Sequence, residues 1–128
     1  MAAAAMPARA TGLNRPFQAA TKKLIRGLSG RPLLPLANRM LAETFVRVEG
    51  VFPLVGAGGT ESGENALAKI RAGASLIQIY SGLVFRGLAL VTEIKSTLLD
   101  TLQRGGHDSL TAIIGVDAAA VTAESWPT

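Results

Sequence analysis

At 128 residues, 48% of them hydrophobic, the chain is long enough to bury a core and is one domain or less. It contains no cysteine and one histidine, which excludes disulfides, thiolate metal sites and the usual zinc centres. The net charge of +4 is uneven: Arg9, Arg15, Lys22, Lys23, Arg26, Arg31 and Arg39 all precede the first acidic residue, Glu43, but with no aromatic interleaving or basic stripe they read as solvated charges rather than a nucleic-acid surface.

Met1–Ala10 is Ala-rich, has no apolar face and is expected to be poorly ordered. The Ala and Arg content of the basic, acid-free stretch before Glu43 also resembles a transit peptide. Phe17–Ile25 has room for two helical turns, with Phe17, Ala20, Leu24 and Ile25 on one side. Pro35–Val48 predicts a helix whose apolar stripe is Leu36, Ala37, Met40, Leu41, Phe45 and Val48, with Asn38, Arg39, Glu43 and Arg47 facing away. Pro53-Leu54-Val55 is too short for a helix and is stopped by Gly56-Ala57-Gly58-Gly59, which predicts a strand and a tight turn.

Ser62 is placed to cap a helix through Ala66, Leu67 and Ile70, with Glu61 and Glu64 at its positive end, Lys69 and Arg71 in its last turn and Gly73 as the stop. Ser75–Tyr80 follows as a strand, buried on most sides, with Gln78 its one strongly polar interior residue. Strand, helix and strand in this order predict a parallel βαβ unit. Leu88–Arg104 predicts a long helix on Val91, Ile94, Leu98, Leu99 and Leu102, ended by Gly105-Gly106. His107 falls in an exposed turn and takes no catalytic role, Asp108-Ser109-Leu110 caps a short helix through Ile114, and the tail past Asp117 reads as loose, with Trp126 exposed or lightly packed. No apolar run is long enough to span a bilayer.

The turns after the two strands carry the functional signal. Glycines at 56, 58 and 59 leave main-chain amides open to an anion, and Tyr80-Ser81-Gly82 ends the neighbouring strand in a second such turn. The short apolar segment Leu83-Val84-Phe85 comes next, an order found at the phosphate site between the last two strands of many TIM barrels. From spacing alone the bland alternatives stand: glycines that serve only the turn, Tyr80 as a packed aromatic at a strand end, Ser81 as a turn former.

Four segments carry a narrower resemblance: Gly27-Leu28-Ser29-Gly30-Arg31-Pro32-Leu33, Gly56-Ala57-Gly58-Gly59, Ile70–Tyr80 and Ser81–Gly87. In order and separation they resemble the C-terminal part of quinone-dependent dihydroorotate dehydrogenase, a flavin enzyme. The resemblance covers roughly residues 27–106 and implies an α/β fold, the last two strands of a (β/α)8 TIM barrel with their helices, as an incomplete barrel. A complete barrel takes about 250 residues. Residues 1–26 would be the basic head and remnant of the loop after strand six, and 107–128 a short helix and loose tail. Asn14-Arg15-Pro16 resembles a Ser-Arg-Pro that follows an orotate-binding Asn-Thr pair, but Ala10-Thr11 stands in the place of that pair and brings no asparagine amide.

The resemblance further implies FMN as cofactor, contacted by Gly30, Gly59, Tyr80 and Ser81, the last three holding its phosphate mainly through main-chain N–H groups. It implies dihydroorotate oxidation to orotate with quinone as acceptor, and a peripheral location on the cytoplasmic side of a bacterial inner membrane or on a mitochondrial inner membrane. In that class the serine base, the residues that hold the flavin ring and the helical extension that forms the quinone tunnel all lie upstream of the matched segments. No catalytic residue is therefore assigned in this chain, and the chain alone is expected to be inactive. It is also expected to aggregate, oligomerise or assemble with the rest of a barrel. Two other readings cover less of the chain: a different FMN- or phosphate-binding barrel sharing only the GAGG turn, and a non-enzymatic anion-binding module using the basic head.

Overall fold

The computed structural model describes residues 29–127. The basic head, the Phe17–Ile25 segment and the Ala10-Thr11 position lie outside the described residues. After a 3-10 turn at Arg31–Leu33 come α1 (Leu34–Val48), β1 (Val55–Ala57), α2 (Gly63–Ala72), β2 (Leu76–Gln78), α3 (Ser81–Arg86), α4 (Ala89–Gly105), a second 3-10 turn at Leu110–Ala112, and α5 (Ala118–Ala123).

Local chemistry sets these boundaries. Pro35 falls in the first turn of α1, where a missing N–H costs nothing, and Glu49 ends the helix in the left-handed region. The Ser62 hydroxyl accepts the Asn65 N–H at the start of α2, and Gly73, at φ 127°, closes it. The strands are parallel, with Val55 opposite Leu76, Gly56 opposite Ile77 and Ala57 opposite Gln78.

The strands depart from expectation in length and burial. β1 starts at Val55 rather than Pro53 and runs into the glycine stretch, because Gly56 lets the strand lie directly on α2. A Cβ there would stand 2.9 Å from the Ala74 Cβ and 3.2 Å from the Lys69 Cδ. β2 contracts to Leu76–Gln78, since beyond these residues it has no ladder partner among the described residues. It is also not buried on most sides. Leu76 is 62% exposed and Val55 54%, so this face of the sheet is open while Gly56 and Ile77 face the helices.

Two apolar clusters meet at Ile77. Leu41, Ala42, Ala72, Ala74 and Ala118 pack with Phe45, Leu54 and Val121 on one side, and Ala66, Leu90 and Ile94 with Ile79 and Leu98 on the other. Ala118 and Val121 belong to α5, so the tail expected to be loose forms a helix on α1 and α2. Gly115 and Asp117 donate their N–H groups to the last carbonyls of α2: that of Ile70, which also accepts the Gly73 N–H, and that of Arg71.

α5 also explains why Arg39 does not face away as its helical position predicts. It is 7% exposed, and its Nη1 donates to the carbonyls of Val121 (2.8 Å) and Glu124 (2.5 Å). Its Nε donates to Glu43, and the guanidinium lies 4.8 Å from the centre of the Trp126 ring. Among the described residues no helix is long and apolar enough to cross a membrane.

Candidate functional site

Because the strands are parallel, the loops after β1 and β2 leave the same end of the sheet. They touch: a Cβ placed on Gly82 would run into the Thr60 carbonyl oxygen. The segment before α1 joins them. The hydroxyls of Ser29 and Ser81 hydrogen-bond to each other, and Arg31 donates its N–H to the Glu61 carboxylate at 2.9 Å.

Of the four residues singled out from the sequence, Gly30, Gly59 and Ser81 are brought to this junction, and Tyr80 reaches it by its main chain, directly before Ser81. Gly30 has φ 76°, and a Cβ on it would stand 2.9 Å from Glu61 Oε1. Gly59 has φ 75° and rests on the start of α1, where a Cβ would stand 2.7 Å from the Leu34 nitrogen. Both conformations suit glycine and penalise any other residue. Tyr80 precedes α3 and is 79% exposed, so it is not a packed aromatic at a strand end.

The junction is rich in donors. Among the described residues, the amides of Gly59, Tyr80, Ser81 and Gly82 meet no acceptor. The Thr60 hydroxyl, on a residue only 3% exposed, has no hydrogen-bond partner among them either. Buried polar groups are ordinarily paired, and an unpaired one is costly. At the rim, the Glu64 carboxyl lies below the usual carboxylate range because its own backbone N–H and the Ser62 hydroxyl hydrogen-bond to it.

Several of these groups left no local mark in the sequence. Glu61 stands just before the positive end of α2, as the sequence predicts, but its carboxylate also holds the Arg31 N–H and its carbonyl accepts from Arg86 Nη1 at 2.9 Å. Arg86 Nη2 pairs with Glu93 at 2.5 Å, and Glu93 accepts the Gly63 N–H at 3.1 Å. Three of these contacts join residues 25 to 30 positions apart, beyond any helical spacing, and the Arg86–Glu93 pair crosses the break between α3 and α4. Lys69, in the last turn of α2 as its position predicts, is fully buried beneath β1. Its ammonium donates to Asn38 Oδ1 at 2.8 Å, and burial brings its pKa down to about 8. It lies on the helix side of the sheet and plays no part in the loop junction. Among the described residues no group of side chains could hold a metal ion.

The sequence model of the dihydroorotate dehydrogenase family matches residues 5–102. The dihydroorotate dehydrogenase (quinone) of Bradyrhizobium diazoefficiens is 67% identical over 101 residues, covering 79% of this chain and 28% of that protein. The protein of the same name from Rhodopseudomonas palustris is 61% identical over the same span. The chain thus covers about a quarter of the length of the curated relatives it matches. Among solved structures, the Eimeria tenella enzyme in complex with ferulenol is similar with a TM-score of 0.65 and 31% identity, over 70% of this chain and 24% of that one. With a family match over most of its length and relatives above 60% identity, the chain belongs to the dihydroorotate dehydrogenase family.

Proposed function

We propose that this chain supplies the last two strand–helix units of a (β/α)8 barrel and holds the FMN phosphate in a quinone-dependent dihydroorotate dehydrogenase. The observation that carries the reading is the loop junction itself. Amides of Gly59, Tyr80, Ser81 and Gly82 that meet no acceptor among the described residues, together with the buried Thr60 hydroxyl, form a donor set suited to a phosphate dianion. Gly59 and Gly30, both at positive φ, let their turns close on Leu34 and Glu61 and so hold the donors in place. Ser81 adds a hydroxyl that Ser29 orients.

FMN, when bound, supplies the two-electron oxidation of dihydroorotate to orotate and delivers the electrons to quinone. The residues of this chain bind and position. No described residue is assigned the proton-accepting role, so the chain contributes the phosphate end and the rest of the barrel contributes the reacting end. The open sheet face around Val55 and Leu76 is where those remaining strands and side chains would pack. A peripheral association with an inner membrane belongs to the same reading.

Titration of the chain with FMN and with riboflavin, followed by flavin fluorescence, tests this. Saturable quenching of FMN and much weaker quenching of riboflavin are expected. Equal affinity for both, or none for FMN, would overturn the phosphate assignment.

A further inference from the structure

Resting on that reading, we propose that Glu61, Arg86 and Glu93 are positioning residues that set the geometry of the phosphate cradle. An acidic side chain one residue past Thr60 is at first sight misplaced, because it would repel a dianion. Its carboxylate is engaged instead. Oε1 takes the Arg31 N–H at 2.9 Å and fixes the Ser29–Arg31 segment against the turn after β1. The Glu61 carbonyl takes Arg86 Nη1 at 2.9 Å, which fixes the end of α3 to the same turn. Arg86 Nη2 reaches Glu93 Oε2 at 2.5 Å, and Glu93 Oε1 takes the Gly63 N–H at 3.1 Å.

Through its carboxylate on one side and its main-chain carbonyl on the other, Glu61 therefore links the Ser29–Arg31 segment to the Arg86–Glu93 ion pair, and the series ties that segment, the turn after β1 and α3 together with α2 and α4. Arg86 and Glu93 are substantially exposed, at 48% and 35% of their side-chain area. Ion pairs of this kind add little to global stability. Their effect is local: they hold the turn bearing Ser81 and the turn bearing Gly59 at one separation. Where outer partners orient a binding group, as at metal centres, their loss costs on the order of 10–100-fold in affinity.

The test is FMN affinity, measured against riboflavin, together with the amide resonances of Gly59 and Ser81 in nitrogen-15-labelled chain. Arg86→Ala is expected to weaken FMN by about tenfold, by analogy with such outer partners, to leave riboflavin unchanged, and to move both resonances with no flavin present. Arg86→Lys keeps the charge but cannot bridge Glu61 and Glu93, so it restores affinity only in part; full restoration would mean that Arg86 acts as a charge on the phosphate and would overturn the positioning role. Glu61→Gln keeps the acceptor for Arg31 and is expected to bind FMN as the wild type does, whereas Glu61→Ala weakens it. Tighter FMN binding by both Glu61 variants would show a carboxylate that merely repels. If wild-type chain binds no FMN, the phosphate reading fails, and unmoved Gly59 and Ser81 resonances in Arg86→Ala would separately overturn the network.

Discussion

Arg71 and Asp117, at opposite ends of a long excursion of the chain, meet in a two-pronged ion pair, Nε to Oδ2 at 2.6 Å and Nη2 to Oδ1 at 2.9 Å. The pair docks the segment leading into α5 on the end of α2, beside the main-chain bond from Asp117 N–H to the Arg71 carbonyl. The Arg71 hydrogen bond holds the Asp117 carboxyl below the usual carboxylate range. A carboxyl depressed in the folded state contributes stability above its unfolded pKa and loses it as pH falls through the folded one. Both side chains are about 40% exposed, so the effect is screened. Asp117→Asn is expected to cost about 1 kcal/mol or less at pH 7, and progressively less as acid protonates the carboxyl of the parent chain, measured by thermal unfolding at neutral and acid pH.

Gly59→Ala tests the turn after β1. Its φ of 75° disfavours any side chain, and a Cβ would stand 2.6 to 2.7 Å from Leu34 Cβ, Cα and N. Leu34 is backbone at the start of α1 and has no flexible end to move aside. Strain in φ alone costs about 1–3 kcal/mol, and the collision adds to it. Denaturant unfolding is expected to show a loss above 2 kcal/mol by this estimate, and a loss below about 0.5 kcal/mol would contradict the packing.

Much of this architecture is legible along the chain because glycine, proline and capping residues act locally. Ser62 and Gly73 bound α2, and Gly106 ends α4 where the apolar spacing stops. Gly30, Gly59 and Ser81 stand out by motif. The burial of Arg39 and Lys69 does not, because each is covered by a segment far away in sequence, and Ala118–Ala123 has too little polar contrast to mark a helix face. The contacts joining the three loops are likewise long-range, and a period of 3.6 or 2 residues carries no trace of them.

Lys69 predicts an alkaline rise in stability. It is fully buried, donates to neutral Asn38, and its pKa falls from 10.5 to about 8 through burial. Below pH 8 both folded and unfolded chains carry the proton, and the folded state bears the cost of a buried charge. Between pH 8 and 10.5 the unfolded chain holds a proton the folded chain has released, so stability increases with pH across that window. The rise is of order 3 kcal/mol at most. Lys69→Met is expected to remove the slope and to raise stability at pH 7, read from denaturant midpoints at pH 7 and pH 10. A slope unchanged in the variant would assign it to other groups.

The open sheet face predicts association. Val55 and Leu76 lie opposite each other in the ladder and are both more than half exposed, with Tyr80 exposed beyond them. An apolar face next to unpaired strand edges favours contact with other chains. Size-exclusion chromatography is expected to show oligomers for the wild-type chain and a larger monomer fraction for Leu76→Lys. A sharp wild-type monomer would contradict this.

Arg39 and Trp126 give the tail an optical reporter. Trp126 is the one tryptophan of the chain, and the Arg39 guanidinium sits 4.8 Å from its ring centre. The same guanidinium satisfies two carbonyls near the end of α5, Val121 and Glu124, and pairs with Glu43. Arg39→Ala leaves those carbonyls and the Glu43 carboxylate short of a donor, a loss of about 2–3 kcal/mol for groups held away from water. Arg39→Lys keeps a charge but has no planar fork to serve Glu43 and the carbonyls together, so it is expected to recover less than half of that loss. Because the cation leaves the ring face, Trp126 emission should shift to the red in Arg39→Ala before global unfolding. Unchanged emission together with unchanged stability would show that the tail is held by α5 packing alone.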